Sequence, residues 1–205
     1  MKTVLVTLGV LAALALVAVL VGVGSYNSLV NQQQAVDAQW AQVQNVYQRR
    51  ADLVPNLVRT VSGAANFEQS TLTQVTEARA SVGRVNVNPT QAPADPNQLV
   101  EFDRAQTQLT SALSRLLVVV ERYPELRATE GFRTLQAQLE GSENRIAVER
   151  GRFNDVVRTY NSSVRRFPTV LFAGLMGFQP RPYFAASPGA ENAPEVNFDF
   201  DKKAP

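Results

Sequence analysis

The apolar positions of the chain fall into helical stripes separated by polar or proline-rich breaks. The clearest stripe holds Val36, Trp40, Val43, Tyr47, Val54, Leu57 and Val61, spaced 4, 3, 4, 7, 3 and 4 apart. Such spacing lays one face along a long helix, and Arg50 occupies the seam position that the gap of seven skips. Pro55 interrupts this helix. It lacks an amide hydrogen and its ring crowds the carbonyl four residues back, so a kink is expected near Ala51–Pro55. Ser62 and Gly63 mark the next break.

A second helix is predicted over residues 66–83, capped by Asn66, with Phe67, Leu72, Val75, Ala78 and Val82 on one side. Residues 86–97 (NVNPTQAPADPN) hold three prolines and no period, and read as a surface insertion longer than a helix hairpin needs. A third helix over about 97–122 turns Leu99, Phe102, Leu109, Leu113, Leu116 and Val120 inward, until Tyr123-Pro124 ends it. The fourth and longest covers about 128–167. Its stripe is Phe132, Leu135, Leu139, Ile146, Phe153, Val156, Tyr160 and Phe167, with Ser142, Glu149 and Ser163 at the remaining seam positions. Residues 169–178 (TVLFAGLMGF) are apolar and uncharged, suited either to docking on the bundle or to lying on lipid. The segment 179–205 has five prolines and no period, the pattern of a disordered or extended tail.

Upstream of the first stripe, residues 4–23 contain no charge. Twenty helical residues span roughly 30 Å, the thickness of a bilayer's hydrocarbon core. The competing reading is a cleaved signal peptide, but the run exceeds the usual h-region and no A-x-A site closes it. Residues 1–25 are therefore expected to be an uncleaved anchor whose partner is the lipid bilayer. Nothing between Tyr26 and Ala51 breaks a helix, so anchor and first domain helix are expected to form one rod. Lys2 flanks one end of the span and the first basic residue beyond it is Arg49. The positive-inside rule then puts the N-terminus in the cytoplasm and the domain outside it, in a single-pass membrane protein. The fold class that emerges is all-α. A transmembrane helix continues into an antiparallel, four-helix-bundle-like domain over 26–178, followed by the tail 179–205.

Composition narrows the chemistry. The 205 residues include no cysteine and no histidine, which removes thiolate chemistry, disulfides and the commonest metal ligand and general base. No cofactor is implied, and a non-enzymatic role is expected. The arginines are scattered beside carboxylates along the helices, so no nucleic-acid footprint appears.

What remains are charges on or beside apolar faces: Arg50 in the first helix, and Glu143, Glu149 and Arg150 in the fourth. A buried unpaired charge costs several kcal/mol, so these should pair across the bundle or reach its wet end. A carboxylate metal site is the alternative, but no Glu-x-x-His accompanies these glutamates. Pro55 reads as a bend following the core, or as a hinge. The exposed glutamines 32, 33, 34 and 39 read as a solvated face, or as a contact between copies. Arg50, Asp52, Pro55, Glu143 and Arg150 are the structural or interaction candidates.

Taken together, YNSLV at 26–30, Trp40, RRADLVPNLVRTV at 49–61 and LTQVTEARA at 72–80 resemble the LemA family of bacterial membrane proteins. The likeness continues through ERYPELRA at 121–128, Phe132, LQAQLEGSENRIAVER at 135–150, YNSSV at 160–164, Gly177-Phe178 and Tyr183-Phe184. The resemblance implies an N-terminal anchor, long antiparallel helices and no established catalytic residues. It also implies a link to membrane organisation, including invagination in magnetosome-forming bacteria. The chain departs from the family pattern at Phe67, Glu149, Gly151, Phe153 and Ala185, whereas Arg50, Asp52, Glu143 and Arg150 fit it. The functional expectation is a membrane-anchored scaffold acting through self-association or envelope protein partners. The alternatives are a sensor for a peptide or small molecule and, behind it, an enzyme with a carboxylate site at Glu143 and Glu149.

Overall fold

The computed structural model describes residues 1–63 and 67–185, and every regular element among them is a helix. These are α1 (Lys2–Ser62), α2 (Gln69–Arg84), α3 (Pro96–Val120), α4 (Pro124–Arg127), α5 (Glu130–Arg165) and α6 (Val170–Ala173). The protein is all-α. Anchor and first domain helix are one rod of 61 residues, in which the helix continues through Pro55. Residue 66, expected to cap the second helix, lies outside the described residues, as does the tail from 186.

Cross-helix bonds give the topology. Arg50 meets Glu143 and Gln39 meets Glu149, so α1 and α5 run antiparallel. Glu68 meets Arg122 and Gln74 meets Arg115, so α2 and α3 do likewise. Arg79 bonds the Ala51 carbonyl across the α1–α2 hairpin. The order is up, down, up, down. The expected seam of α1 is fully inward: Val36, Trp40, Val43, Tyr47, Arg50, Val54, Leu57 and Val61 are all buried.

Local chemistry explains the boundaries. The Asp95 carboxylate accepts from the Asn97 amide at 2.9 Å and Pro96 takes the first turn, where its missing N–H costs nothing. The helix expected over about 128–167 is α5, in one piece from Glu130 to Arg165. Ahead of it Pro124 opens the short α4 instead of merely ending α3, and Thr129 then caps α5 by accepting from the Phe132 amide. The far end of the expected stripe is also corrected. Val157 and Val164 are buried in place of Val156 and Phe167, and Phe167 is 74% exposed. Phe167 lies past the last residue of α5, where the backbone of Arg166 is extended, so it no longer follows the helical stripe.

The core has two parts. The end next to the apolar span is aromatic, with Trp40, Tyr47, Phe102, Phe153, Tyr160, Phe178 and Phe184. Trp40 packs edge-on to Phe102 at 5.2 Å between centroids and lies near Phe153 and Phe184. The far end is aliphatic, built from Val54, Leu57, Val61, Leu109, Leu113, Leu116, Val120 and Leu139, with Phe132 among them.

Two segments outside the long helices complete the aromatic end. The 86–97 loop is not a loose insertion. Trp40 Nε1 donates to the Asn88 carbonyl at 2.8 Å, the Ala92 amide donates to Asp37 at 2.9 Å, and Ala92 is buried. Residues 181–185 are extended but not free, as a tail would be; they form a strap along α5. Asn161 brackets the backbone of Arg181, donating to its carbonyl and accepting from its amide, and Asn154 does the same for Phe184. Seven helical residues and three extended residues both advance about 10 Å, which lets the two asparagines match two points on the strap.

Trp40→Ala is expected to destabilise the domain by about 3–5 kcal/mol, since Trp40 has no exposed surface. Val118→Ala, at a residue 70% exposed, should stay within about 0.5 kcal/mol. Chemical denaturation followed by circular dichroism in detergent micelles measures both.

Candidate functional site

Polar groups converge where the two cores meet. Arg50 is 1% exposed and extends from α1 between α3 and α5. One terminal nitrogen donates to Glu143 and to the Thr110 hydroxyl, each at 2.7 Å. The other donates to the side-chain and backbone oxygens of Gln106, itself buried. Only Nε lacks an acceptor. The guanidinium also lies 5.2 Å from the Tyr47 ring centroid. Arginine's planar fork suits this task better than lysine would, because several donors reach fixed acceptors at once. Glu143 is 42% exposed, so the carboxylate keeps part of its hydration while the cation gives up nearly all of its own.

One turn nearer the apolar span is a second node. Arg150 pairs with Asp103 of α3 at 2.6 Å and donates to the Tyr47 hydroxyl at 3.3 Å. It also donates to the Ala185 carbonyl and covers the Phe184 ring at 4.5 Å. Tyr47 therefore touches both arginines. Burial pushes its phenol above the ordinary tyrosine range, and the two cations only partly oppose that shift. Burial raises Tyr160 in the same direction.

The other candidates separate from this group. Asp52 is exposed and accepts from Gln48 on its own helix, so it does not join the node. Pro55 leaves the Ala51 carbonyl without its helical donor, and Arg79 of α2 supplies one from Nε at 3.1 Å. A helix can run through proline where a side chain replaces the lost bond. Glu149 is held by Gln39 at 2.6 Å and Arg152 at 2.7 Å. Glu143 and Glu149 thus serve different partners and do not converge. Among the described residues no group of three carboxylates could hold a metal ion.

Periodicity pointed to Arg50 but not to Gln106, Thr110, Asp103, Arg79 or the strap asparagines, which are ordinary polar residues on helices. The Asn154–Asn161 heptad spacing was the available signal for the strap.

The family model described as the LemA family matches residues 39–198, which includes both arginine nodes and the strap. The chain belongs to the LemA family. Its similarity to two MamQ magnetosome proteins of Paramagnetospirillum magneticum is 25% identity over 202 residues, covering 91% of this chain and 74% of each relative. MamQ of Magnetospirillum gryphiswaldense is 26% identical over 181 residues, 81% of this chain and 66% of that one. Protein LemA of Metamycoplasma hominis is 24% identical over 147 residues, covering 72% and 63%. This LemA-family chain is a membrane-associated helical protein, and α1 is long and apolar enough to cross a bilayer.

Arg50→Ala should cost about 3 kcal/mol, because Gln106 and Thr110 lose their cation and a cavity opens. Arg158, exposed and paired only within its helix, is the proper control and should cost under about 0.5 kcal/mol. Arg79→Ala should fall between them at about 1 kcal/mol, since it uncaps the Ala51 carbonyl. Urea denaturation of the three variants ranks them.

The pH dependence follows from the tyrosines. Their folded-state pKa values lie above the unfolded ones, so their contribution is whole below about pH 10 and is lost as pH rises through the folded values. With no histidine to titrate, the melting temperature should be flat between about pH 6 and 9 and fall above about pH 10. A thermal series across that range checks both limbs.

Proposed function

We propose that this protein is a non-catalytic, membrane-anchored scaffold of the bacterial envelope that holds a rigid helical bundle beside the inner membrane and works by self-association or partner recruitment. The observation that carries the reading is the continuity of α1. A single helix begins in an apolar stretch whose large residues are exposed, and ends as the central strand of contacts in the bundle core. Load or orientation imposed at the bilayer then passes to the bundle without a flexible linker. The polar residues support the same reading: Arg50, Glu143, Arg150 and Glu149 are engaged with one another or with neighbours, which suits register and rigidity better than turnover. Relatives named as magnetosome proteins support an assembly role. The lone lysine before the span favours a cytoplasmic N-terminus, with the bundle on the other side.

Native mass spectrometry of the detergent-extracted full chain tests the proposal; a homo-oligomer or a defined complex is expected, and a strictly monomeric particle contradicts it. A C-terminal alkaline phosphatase fusion should be active if the bundle is extracytoplasmic, and inactive if the orientation is reversed.

A second reading, binding of an extended peptide, draws on an open groove of about 820 Å³ between α2 and α3. Arg84, Arg104 and Arg115 line it against Glu77 and Asp103, and Asp103 is already committed to Arg150. The surplus cation favours a carboxylate-bearing segment.

A further inference from the structure

The segment after α5 was expected either to dock on the bundle or to lie on lipid, and its two sides differ. Bonds from the Val170 amide to the Arg166 carbonyl, Ala173 to Thr169 and Met176 to Phe172 hold residues 169–176 in helical turns, after Arg166 in extended geometry. On one side of this turn Ala173 is buried, and Phe178 packs against Tyr26 of α1 with ring centroids 5.6 Å apart. Gly177, at φ +79°, makes the reversal that turns Phe178 inward, a conformation a side chain would strain. On the other side Phe167, Leu171 and Leu175 recur at a spacing of four and are 74%, 59% and 89% exposed. No charge interrupts residues 167–178, and Arg165 and Arg166 directly precede them, both exposed.

The position of this apolar side decides its occupant. Met176 lies against Gly22 of α1, whose added Cβ would meet its terminal methyl at 4.0 Å. Gly22 belongs to the last turn of the uncharged run 4–23, so the segment sits at the level where α1 leaves the hydrocarbon. Leu175, next to Met176 in the chain, is exposed, and so are Leu20 and Val23 on either side of Gly22 in the span. A large apolar patch facing water marks a surface that is covered in use. Here the neighbouring surface is lipid.

We propose that Phe167, Leu171 and Leu175 enter the edge of the same bilayer that α1 crosses, with Arg165 and Arg166 at the lipid phosphates. This makes a second, interfacial membrane contact. The bundle is then fixed at two points, the span and the segment after α5, and cannot swing about α1. The inference rests on the reading of α1 as a span, and the test separates the two.

The chain has no cysteine, so single cysteines can be placed and labelled with an environment-sensitive fluorophore. Full-length Leu175→Cys, Leu171→Cys, Leu14→Cys and Arg133→Cys would be reconstituted into phosphatidylcholine–phosphatidylglycerol vesicles. Quenching by lipid-borne nitroxide is then compared with quenching by aqueous iodide. Leu175 and Leu171 are exposed, so labels there leave the packing intact. The expected result is nitroxide quenching at 14, 171 and 175 but not at 133, with iodide quenching at 175 several-fold below that at 133. Nitroxide quenching at 14 but not at 171 or 175, with iodide reaching both as it reaches 133, overturns the interfacial contact and leaves the span standing. Absence of nitroxide quenching at 14 removes the span and the proposal together. Labels at 171 and 175 shielded from both quenchers would show a protein surface covering the patch, and also overturn it.

Discussion

One buried cation sets the terms for this bundle. Arg50 stands where the aromatic core ends and the aliphatic core begins, with almost no exposure. Removing a guanidinium from water is expensive, and the interior repays that cost only through well-placed acceptors. Those acceptors come from two other helices: Gln106 and Thr110 on α3, and Glu143 on α5. A shift of either helix by one residue would leave a cation buried without its partners. Hydrophobic side chains tolerate small slips; a forked donor does not. Arg50 therefore fixes the register of three helices at once, and Tyr47 and Arg150 repeat the same triangle one turn closer to the span.

The helix that carries this register, α1, continues unbroken into the apolar span. Everything that closes the membrane-side end clamps onto α1 or α5. The 86–97 loop is bonded to Trp40 and Asp37, the strap is bracketed by Asn154 and Asn161, and Phe178 rests on Tyr26. Arg181 joins loop to strap by donating to the Ala92 carbonyl at 3.0 Å. Among the described residues, the end next to the apolar span is thus closed by both the loop and the strap.

The long-range order of the helices was legible in the sequence, because apolar periodicity depends only on which residues must leave water. The seam of α1, including its arginine, could be read residue by residue. The loop and the strap were not legible for a common reason. Both are held by backbone carbonyls and amides meeting side chains from distant helices, and a backbone group carries no sequence signature. Proline counts in 86–97 and beyond 179 suggested looseness, yet proline also suits a segment whose backbone bonds run to side chains instead of a ladder. Pro55 shows the same limit. Its effect depended on Arg79, which stands 24 residues away and reads as an ordinary surface arginine.

If Arg50 joins two cores into one unit, native-state hydrogen exchange of the full chain in lipid nanodiscs should see that directly. The account predicts that the amides around Trp40–Tyr47 and those around Val54–Val61 share one opening free energy in the wild type. In Arg50→Ala the aliphatic end should open at lower energy while the aromatic end stays protected. Two ends that already open independently in the wild type, or an Arg50→Ala pattern lowered equally throughout, would contradict it.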